Sequence, residues 1–448
     1  MTTQLFFRFV QSFLKNLAGV RRHTQNLARP AGSVVLLLGL TALPAIAQAS
    51  GDNIEIHGFL LGNFSGRIDG QRPGGDGSSD FLLAEERLRL ELGAWPESIE
   101  ASASIKGDFV HDAVTSEFDI DLREAYIDYS TGDFDFRLGR QIATWGVGDL
   151  IFINDVFPKD WVSFFSGRPL EYLKIGVDGL RTRYSSKRVN AELFVIPLFE
   201  PDNLPTPDRF FLFDPFAPVR ARRDQKPATT YGNTELALRL YGKISEIDIS
   251  VYAYRGFWRT PGLRPDNFLA PSSLTRFYPD LSVYGISAQA NAFGGVLGFE
   301  AGYYDSRDDT GGADPAIANS QVRFLAGYQR QLWRETTLGM QYYVEIMEDH
   351  SGYRNSLPAG FPAQKKYRDI VTLRIDQLLE HQRWKLSMMC FYSPADHDYL
   401  LQPQVTYKFS DDLAATIGAN IFGGARNWTS LGQFEKNDNV YFSGRFDF

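Results

Sequence analysis

Charged residues alternate with apolar residues along short segments of this sequence, and this alternation is its clearest chemical signal. In the segment Leu82–Leu92 charged side chains stand at every second position from Glu85 to Glu91, and Glu86 interrupts the apolar face. Such side chains could pair across neighbouring strands, or they could line a water-filled path for a charged solute. Acids and bases occur in comparable numbers, so the alternation indicates no preference for anions or cations.

The residue pattern gives little support to catalysis or metal binding. A hydrolase would need a Ser or Asp nucleophile near a His, but no His stands in a Gly-x-Ser-x-Gly setting or in a His-paired strand pattern. The single cysteine, Cys390, excludes an intrachain disulfide and a CxxC site. Asp305–Asp309 lacks the Gly and Glu spacing of a calcium loop. We therefore predict no catalytic residue, metal or cofactor, and keep a hydrolase only as a minor alternative.

Residues 1–49 have the pattern of a secretory signal peptide. A long basic stretch precedes the apolar core Ser33–Leu43, and small residues at signal-peptidase spacing predict cleavage after Ala47 or Ala49. The apolar core is too short for a membrane-spanning helix. Removing the five positive charges of this leader takes the formal net charge from −8 to about −13. An acidic exported chain is not expected to bind nucleic acid.

The remaining residues, 50–448, show a period of two in segments long enough to cross a membrane as tilted strands. Short turns alternate with mostly longer links rich in Gly, Pro and Asp, as in an up-and-down barrel. We predict an all-β fold, a transmembrane antiparallel barrel of about eighteen strands, with sixteen possible. Both termini would lie on the short-turn side, in the periplasm. A soluble sandwich or propeller is the alternative, but the sequence has no internal repeat.

The last nine residues, Val440–Phe448, place apolar side chains at alternate positions and end on phenylalanine. This segment resembles the recognition signal of bacterial outer-membrane barrel proteins. The resemblance implies assembly by the barrel-assembly machinery, contact with outer-membrane lipid and lipopolysaccharide, and a Gram-negative outer membrane as the location. The residues that would carry the signal are Phe442, Phe446 and Phe448.

The strand faces opposite the apolar residues would line the lumen of this barrel. Among the charged residues on these faces, the cations could form a polar path, or they could pair with acids on neighbouring strands and stiffen the wall. These cations are Arg87, Arg89, Lys106, Arg137, Arg239, Arg323 and Arg374. A barrel of this size is too wide for wall side chains to close, so a loop must narrow it.

The link over residues 142–171 is the best candidate for that loop. Its stretch Trp145–Phe165 is too apolar to leave in water, at about 25 cal/mol per Å² of apolar surface. We predict that it folds into the barrel as a constriction; a short extra strand or a lid on the rim is the alternative. The residues predicted to face water or solute are Asp149, Asn154, Asp155, Lys159, Asp160, Arg168 and Glu171. The candidate constriction residues are Arg140, Gln141, Trp145, Asp149, Asn154, Asp155, Lys159, Asp160 and Arg168.

The residues Leu138–Gln141 followed by Thr144–Gly146 resemble a strand-end motif of the alginate-export porins and of related uncharacterised proteobacterial barrel families. In those families a Gly-Arg-Gln strand end precedes a long inward loop. The resemblance implies an eighteen-stranded exporter or channel with a charged constriction, and Arg140 and Gln141 at its mouth. The lumen of an alginate exporter is expected to be strongly basic, whereas the charges here are mixed, which departs from the pattern for an alginate-like polyanion.

The link over residues 200–230 is predicted to be a long extracellular loop, rich in Pro, Phe and Arg. It could be a second gate or a basic patch that meets lipopolysaccharide. The predicted function is a porin that passes a small polar or charged solute, or a polymer. The alternatives are the outer-membrane part of an export or lipid-transfer assembly, with a periplasmic partner on the short turns, and a structural or adhesive barrel.

Overall fold

The computed structural model describes residues 54–69, 73, 80–96, 100–268 and 270–448 of the chain. The predicted signal peptide, residues 1–49, and its cleavage site lie outside these residues. Within them, no helix has both the length and the apolar character needed to cross a bilayer.

Eighteen antiparallel strands form one closed sheet. They are β1 (Ile54–Arg67), β2 (Phe81–Ala94), β3 (Ala101–Asp112), β4 (Glu117–Thr131), β5 (Phe134–Gln141), β6 (Val177–Tyr184), β7 (Asn190–Ile196), β9 (Glu235–Ile244), β10 (Ile247–Phe257), β13 (Asp280–Ala292), β14 (Gly295–Ser306), β15 (Gln321–Trp333), β16 (Thr336–Met347), β17 (Tyr367–Leu379), β18 (Trp384–Ser393), β19 (Asp398–Lys408), β20 (Leu413–Gly424) and β21 (Asn439–Asp447).

Each of these strands pairs with its neighbours along the chain, and β1 pairs with β21 to close the barrel. In the closing pair Phe59 lies opposite Asp447, and the backbone N–H of Phe448 donates to the carbonyl of Gly58 over 2.9 Å. Closure leaves no sheet edge at this seam, which is what a lipid environment requires. The prediction of an up-and-down barrel of about eighteen strands is confirmed.

The two faces of the wall differ as the period of two predicts. Leu297 and Phe299 of β14 are 45% and 44% exposed on the outside, whereas Glu300 is 1% exposed on the inside. The outer face therefore carries apolar residues toward lipid, and the inner face carries the polar and charged residues.

Three further strands lie outside the barrel wall, in two of the long links. These are β8 (Ala221–Gln225), β11 (Gly262–Pro265) and β12 (Ser273–Phe277), which form a small sheet of their own. The link predicted as a loop over 200–230 thus contains a strand. The sequence does not reveal this strand, because β8 is exposed along its whole length and has no apolar face. Three of its five residues are charged.

In the part of the chain that the structure describes, the helices are short and all lie in links between strands. They are α1 (Trp161–Ser166), α2 (His350–Ser356) and three 3-10 helices at Leu170–Leu173, Tyr231–Asn233 and Gly432–Asn437. The link between β5 and β6, residues 142–176, folds into the barrel, and we call it the inner loop. It packs against two clusters of buried apolar side chains on the wall, so the interior of the barrel has a hydrophobic core. The predicted inward fold of this link is confirmed.

Candidate functional site

The inner loop begins where the Gly-Arg-Gln motif ends strand β5. Gly139 has a φ of 131°, and a Cβ there would lie 2.2 Å from the carbonyl oxygen of Ala125 on β4. Arg140 donates from Nε to the carbonyl of Leu122 over 2.7 Å and from Nη1 to Asp178 over 2.8 Å. Gln141 is buried. The motif thus fixes the point at which the chain leaves the wall.

The first half of the inner loop packs against the wall from β7 to β16. The Trp145 indole N–H donates to Glu192 over 2.8 Å, and its ring lies 5.1 Å from that of Phe157 and 5.8 Å from that of Phe194. Ile153 is fully buried in the same cluster. Buried side chains of this size each contribute on the order of 2 kcal/mol, which holds the loop inside the barrel rather than above it.

A single buried carboxylate on β14 organises the backbone of this half. Glu300 accepts hydrogen bonds from the N–H groups of Val147, Gly148 and Asn154, the latter two over 2.6 and 3.2 Å. The Asn154 side-chain amide adds a fourth bond over 2.9 Å. Gly146 fits here because its φ is 86° and a Cβ would meet the same carboxylate. The carboxylate is therefore solvated by the loop backbone instead of by water.

Asp149 connects the inner loop to strands β16 and β17. Its backbone N–H donates to the Gln341 side chain over 2.7 Å, and Gln341 donates back to the Asp149 carbonyl over 2.8 Å. Its carboxylate accepts from Arg374 over 2.9 Å. Asp149 and Arg374 are both partly exposed, so this pair lies at a wet surface of the loop.

Three of the constriction residues that were predicted to face water are buried, which contradicts that orientation. Asn154, Asp155 and Lys159 are 1%, 5% and 3% exposed. Lys159 donates to Asp155 over 2.9 Å and to the carbonyl of Phe157 over 2.6 Å, and Lys174 also contacts Asp155. Burial lowers the pKa of Lys159 even though Asp155 opposes the shift. The period of the segment could not predict this, because the polar groups satisfy one another inside the loop.

The second half of the loop contains α1, which packs against the wall from β18 to β20. Asp160 caps the helix by accepting from the Ser163 N–H over 2.9 Å, and Gly167 ends it with a φ of 83°. The Phe165 carbonyl accepts from Asn420 and from Asn439, each over 3.2 Å. Six residues make a helix too short to be stable alone, so its cap and these wall contacts hold it.

Arg168 joins the end of α1 to strand β2. Its guanidinium contacts both oxygens of Glu85, with 2.9 Å between Nε and Oε2, and Nη1 lies 3.5 Å from Asp160. Burial would lower the pKa of Arg168, but the Glu85 carboxylate outweighs it and raises that pKa. The guanidinium therefore stays charged at any physiological pH.

The sequence did not single out Tyr172 and Arg123, which form the remaining anchor. Tyr172 is buried, with the guanidinium of Arg87 4.5 Å from its ring centre and that of Arg123 5.2 Å away. Arg123 also donates to the carbonyls of Glu171 and Lys174 over 3.0 and 2.8 Å. The β3–β4 register shifts beside it, between Lys106 and Gly107, and such a bulge turns an additional side chain inward.

The seven cations predicted to line the lumen all have polar or aromatic partners. Arg87 and Arg89 bind Asp108, Lys106 lies near Glu91 and Glu124, Arg137 binds Asp128, Arg239 binds Ser250, Arg323 lies near Glu345, and Arg374 binds Asp149 and Asp376. Such pairing is what the wall-stiffening interpretation predicts. Their role toward a solute stays a prediction.

Two cavities lie on opposite sides of the inner loop. The cavity of about 390 Å³, which we call the long-loop cavity, lies between the loop and strands β2 to β5 at their long-loop ends. The cavity of about 350 Å³, the short-turn cavity, lies below α1 against β17 to β21. Arg168 lines both. Among the described residues, Arg168 is therefore the one that borders the cavities on both sides of the loop.

A family described as "Protein of unknown function (DUF1302)" matches residues 98–448, which include every strand from β3 to β21. The chain belongs to this family. The description of the family assigns no activity, so membership does not identify a solute. No curated protein sequence matches the chain.

Solved structures with the same fold include two proteins of Pseudomonas aeruginosa. OccD3 (OpdP) superimposes with a TM-score of 0.53 at 11% identity, over 90% of this chain and 96% of that one. OccK11 (OpdR) gives 0.51 at 9% identity, over 89% and 98%. The chain thus has the fold of outer-membrane porins. At these identities the likeness shows the fold alone.

The C-terminal residues predicted to carry an assembly signal lie together on the outer face. Phe442, Phe446 and Phe448 are between 46% and 50% exposed, and Phe442 and Phe446 lie opposite Phe64 and Leu60 of β1. They therefore form an apolar patch across the closing seam. Recognition of this patch by an assembly machinery stays a prediction.

Proposed function

We propose that this chain is a channel of the outer membrane, without enzymatic activity of its own, that passes a small polar or charged solute. The inner loop is the constriction. The observation that carries the proposal is the position of Arg168, which lines both cavities where α1 separates them. A solute crossing the barrel would pass this guanidinium and the carboxylates of Glu85 and Asp160 beside it.

A gated channel within a larger export assembly is the second candidate. The number of contacts between the inner loop and the wall favours it, since Glu300, Gln341 and Asn439 hold the loop from different sides of the barrel. In this version a partner, docking on the short turns in the periplasm, would release the loop. Both termini would then lie in the periplasm beside that partner.

Contacts with the membrane surroundings follow from the same proposal. The C-terminal patch would be presented to the barrel-assembly machinery, and the outer apolar face would contact lipid. Arg220 and Arg223, exposed at the start of β8, would face the phosphates of lipopolysaccharide. The link over 200–230 also folds back to the barrel, since Arg209 contacts Asp112 of β3.

Single-channel recording in planar bilayers tests the constriction. The wild-type chain is compared with a variant lacking residues 150–165 and with Arg168→Ala. We expect the deletion to increase conductance, because it removes α1 and the apolar residues that fill the lumen. Arg168→Ala removes one positive charge between the cavities and should shift the reversal potential in a salt gradient toward cation selectivity.

The matched control is Arg137→Ala, which removes an equal charge paired with Asp128 near the short turns. Heat-modifiable gel mobility first confirms that each variant forms a barrel. If neither the wild type nor the deletion conducts, the channel proposal is wrong. A silent wild type with a conducting deletion would support the gated candidate, whereas equal conductance in both would exclude the inner loop as the constriction.

A further inference from the structure

The barrel wall is uneven, and its lowest part lies at strands β5 to β7. Strand β4 pairs with β3 along its length from Glu117 to Tyr129, but it pairs with β5 only from Ala125 to Thr131. Strands β6 and β7 share five residue pairs, against thirteen for β1 and β2. The long-loop half of β4 therefore has no strand on its β5 side.

This gap lies at the depth of the lipid. The eight residues of β5 cover about 19 Å of height at a tilt near 45°, less than the apolar band of about 25 Å on such barrels. The outer face of β4 stays apolar above the end of β5, since Ile120 and Phe118 are 54% and 78% exposed. Lipid thus covers β4 at a height where its neighbour has already left the wall.

Side chains bond two of the backbone groups along this edge. The N–H of Ile120 donates to Asp119 Oδ1 over 2.8 Å, and the carbonyl of Leu122 accepts from Arg140 Nε over 2.7 Å. An unpaired strand edge within the membrane is tolerated only where protein or water satisfies it. Because these two groups are already bonded, the row of backbone groups that a strand of another protein would need is interrupted along this edge.

The long-loop cavity lies directly behind this edge. Its lining includes Asp119, Asp121 and Arg123 of β4 together with Ile175 and Gly176, where the inner loop returns to the wall before β6. Ile120 and Leu122, which stand between those inward residues, also border it. The cavity is therefore bounded by residues of both faces of the wall, which a cavity behind a complete wall would not be.

The cations that line the cavity are paired, whereas two of its carboxylates have no cationic partner in the described part of the chain. Its four guanidinium groups all bond to carboxylates or carbonyl oxygens: Arg87, Arg123, Arg140 and Arg168. Glu117 and Asp119 face inward, opposite Asp112 and Val110, and have no cationic partner among the residues that the structure describes. The free charge at the opening is therefore negative.

We propose that the gap beside the long-loop half of β4, above the ends of β5 and β6, is a side opening through which a single-chain amphiphile with a positively charged head moves between the lumen and the lipid. The head would lie beside Glu117 and Asp119, and the apolar chain would pass Ile120 and Phe118 into the membrane. This extends the proposed channel because it uses the same lumen, but it does not require that ions cross the constriction.

Quenching by brominated phospholipids tests the opening itself. Single cysteines, in a Cys390→Ser background, carry a bimane label in proteoliposomes at three positions: Asp121→Cys inside the opening, Ile120→Cys on the outer face, and Ser387→Cys inside a fully paired part of the wall. We expect lipid to quench the label at 121 nearly as strongly as at 120, and to leave the label at 387 unchanged. A label at 121 that behaves like the one at 387 would overturn the opening.

Amphiphile binding tests the occupant. A bimane label on Ile175→Cys reports titration with dodecyltrimethylammonium in nanodiscs, with dodecanoate as the oppositely charged probe of equal chain length. Glu117→Gln with Asp119→Asn should weaken binding of the cation roughly fivefold. The control pair, Asp411→Asn with Asp412→Asn, removes equal charge from the turn before β20 and should leave binding unchanged.

The outcomes separate this proposal from the channel. Tighter binding of dodecanoate, or equal binding by both acid-to-amide pairs, would overturn the assignment of a cationic head. A conducting protein without lipid quenching at 121 would overturn the side opening and leave the channel intact. Quenching at 121 in a protein that never conducts, even without residues 150–165, would overturn the channel and leave the opening.

Discussion

At the scale of single residues, the inner loop depends on a few wall side chains that accept or donate several bonds each. Glu300 accepts four hydrogen bonds from the loop, three of them from backbone N–H groups, and no cation shares in them. Arg123 and Asn439 donate to loop carbonyls in the same way. These three wall side chains therefore bind the loop mainly through its backbone, in addition to the bonds and apolar contacts that the loop side chains make.

Replacing Glu300 tests the most concentrated of these anchors. Glu300→Ala removes the acceptor of the N–H groups of Val147, Gly148 and Asn154, and we expect it to destabilise the docked loop by about 3 kcal/mol. Glu300→Gln keeps one acceptor oxygen and should have a smaller effect. Open-channel current noise and protease cleavage within residues 142–176 measure the change. Asp128→Asn, which alters a wall pair away from the loop, should resemble the wild type in both measurements. If Glu300→Ala shows no added current noise and no added cleavage, Glu300 does not hold the loop.

Gly139 lies two residues before the end of β5. Gly139→Ala places a Cβ 2.2 Å from a backbone oxygen at a φ of 131°, and backbone cannot move aside as a flexible side chain could. We expect a loss of about 2 kcal/mol or more in barrel stability, measured as a lower midpoint of heat-modifiable mobility in urea. Gly444→Ala on β21 meets nothing within 4 Å and should be neutral. Equal midpoints for the two variants would show that the β5 end tolerates a side chain.

At the scale of elements, the inner loop contributes to the fold as much as the wall does. Its two halves fill two apolar clusters inside the barrel, with Trp145 and Phe157 in one and Phe164 and Phe165 in the other. The bulge in β4 supplies the side chain that ties the loop down between them. Wall and loop therefore fold as one unit, because neither apolar surface is covered without the other.

The bulge can be tested through Arg123. Arg123→Ala removes two hydrogen bonds to loop carbonyls and the contact with the Tyr172 ring, so residues 171–176 should exchange their amide hydrogens faster, by on the order of tenfold. Arg123→Lys keeps the charge but has no planar group that reaches both carbonyls. Its exchange rates should therefore lie between those of the wild type and of Arg123→Ala. If Arg123→Ala exchanges its amide hydrogens at the wild-type rate, the 3-10 helix at Leu170–Leu173 is stable without Arg123.

At the scale of the whole molecule, the closing seam joins the two ends of the described chain. Strand β21 pairs with β1 and ends on Phe448, whose backbone exchanges two hydrogen bonds with Gly58. The same strand supplies Asn439 and Arg445 to the inner loop, which donate to Phe165 and to Glu171. Closure of the barrel and docking of the loop therefore share one strand.

Removal of Phe448 separates assembly in cells from stability. The deletion loses two hydrogen bonds at one end of a long seam, so refolding into detergent should remain close to wild type. If the terminal aromatic side chain is recognised during assembly, the amount of barrel in the outer membrane should fall several-fold more than the refolding yield does. Phe409→Ala, an exposed aromatic in the β19–β20 turn, is the control. A parallel fall in both yields would assign Phe448 a structural role only.

The sequence by itself determined the wall. A period of two, short turns alternating with long links, and an aromatic C-terminal strand predict a barrel of about eighteen strands, because each signal arises from local geometry and from contact with lipid. The apolar content of Trp145–Phe165 likewise predicts that the link is not left in water. These features needed no knowledge of which residues meet.

Only the tertiary structure decided what the inner loop contacts and where the wall is open. Lys159 and Asp155 carry charges that a pattern assigns to solvent, yet they pair inside the loop, since their partners come from other turns of the same segment. Arg123 acquires its role through a register shift between β3 and β4, and the side opening arises from unequal strand pairings. Contacts between distant segments set these features, and no local period encodes them.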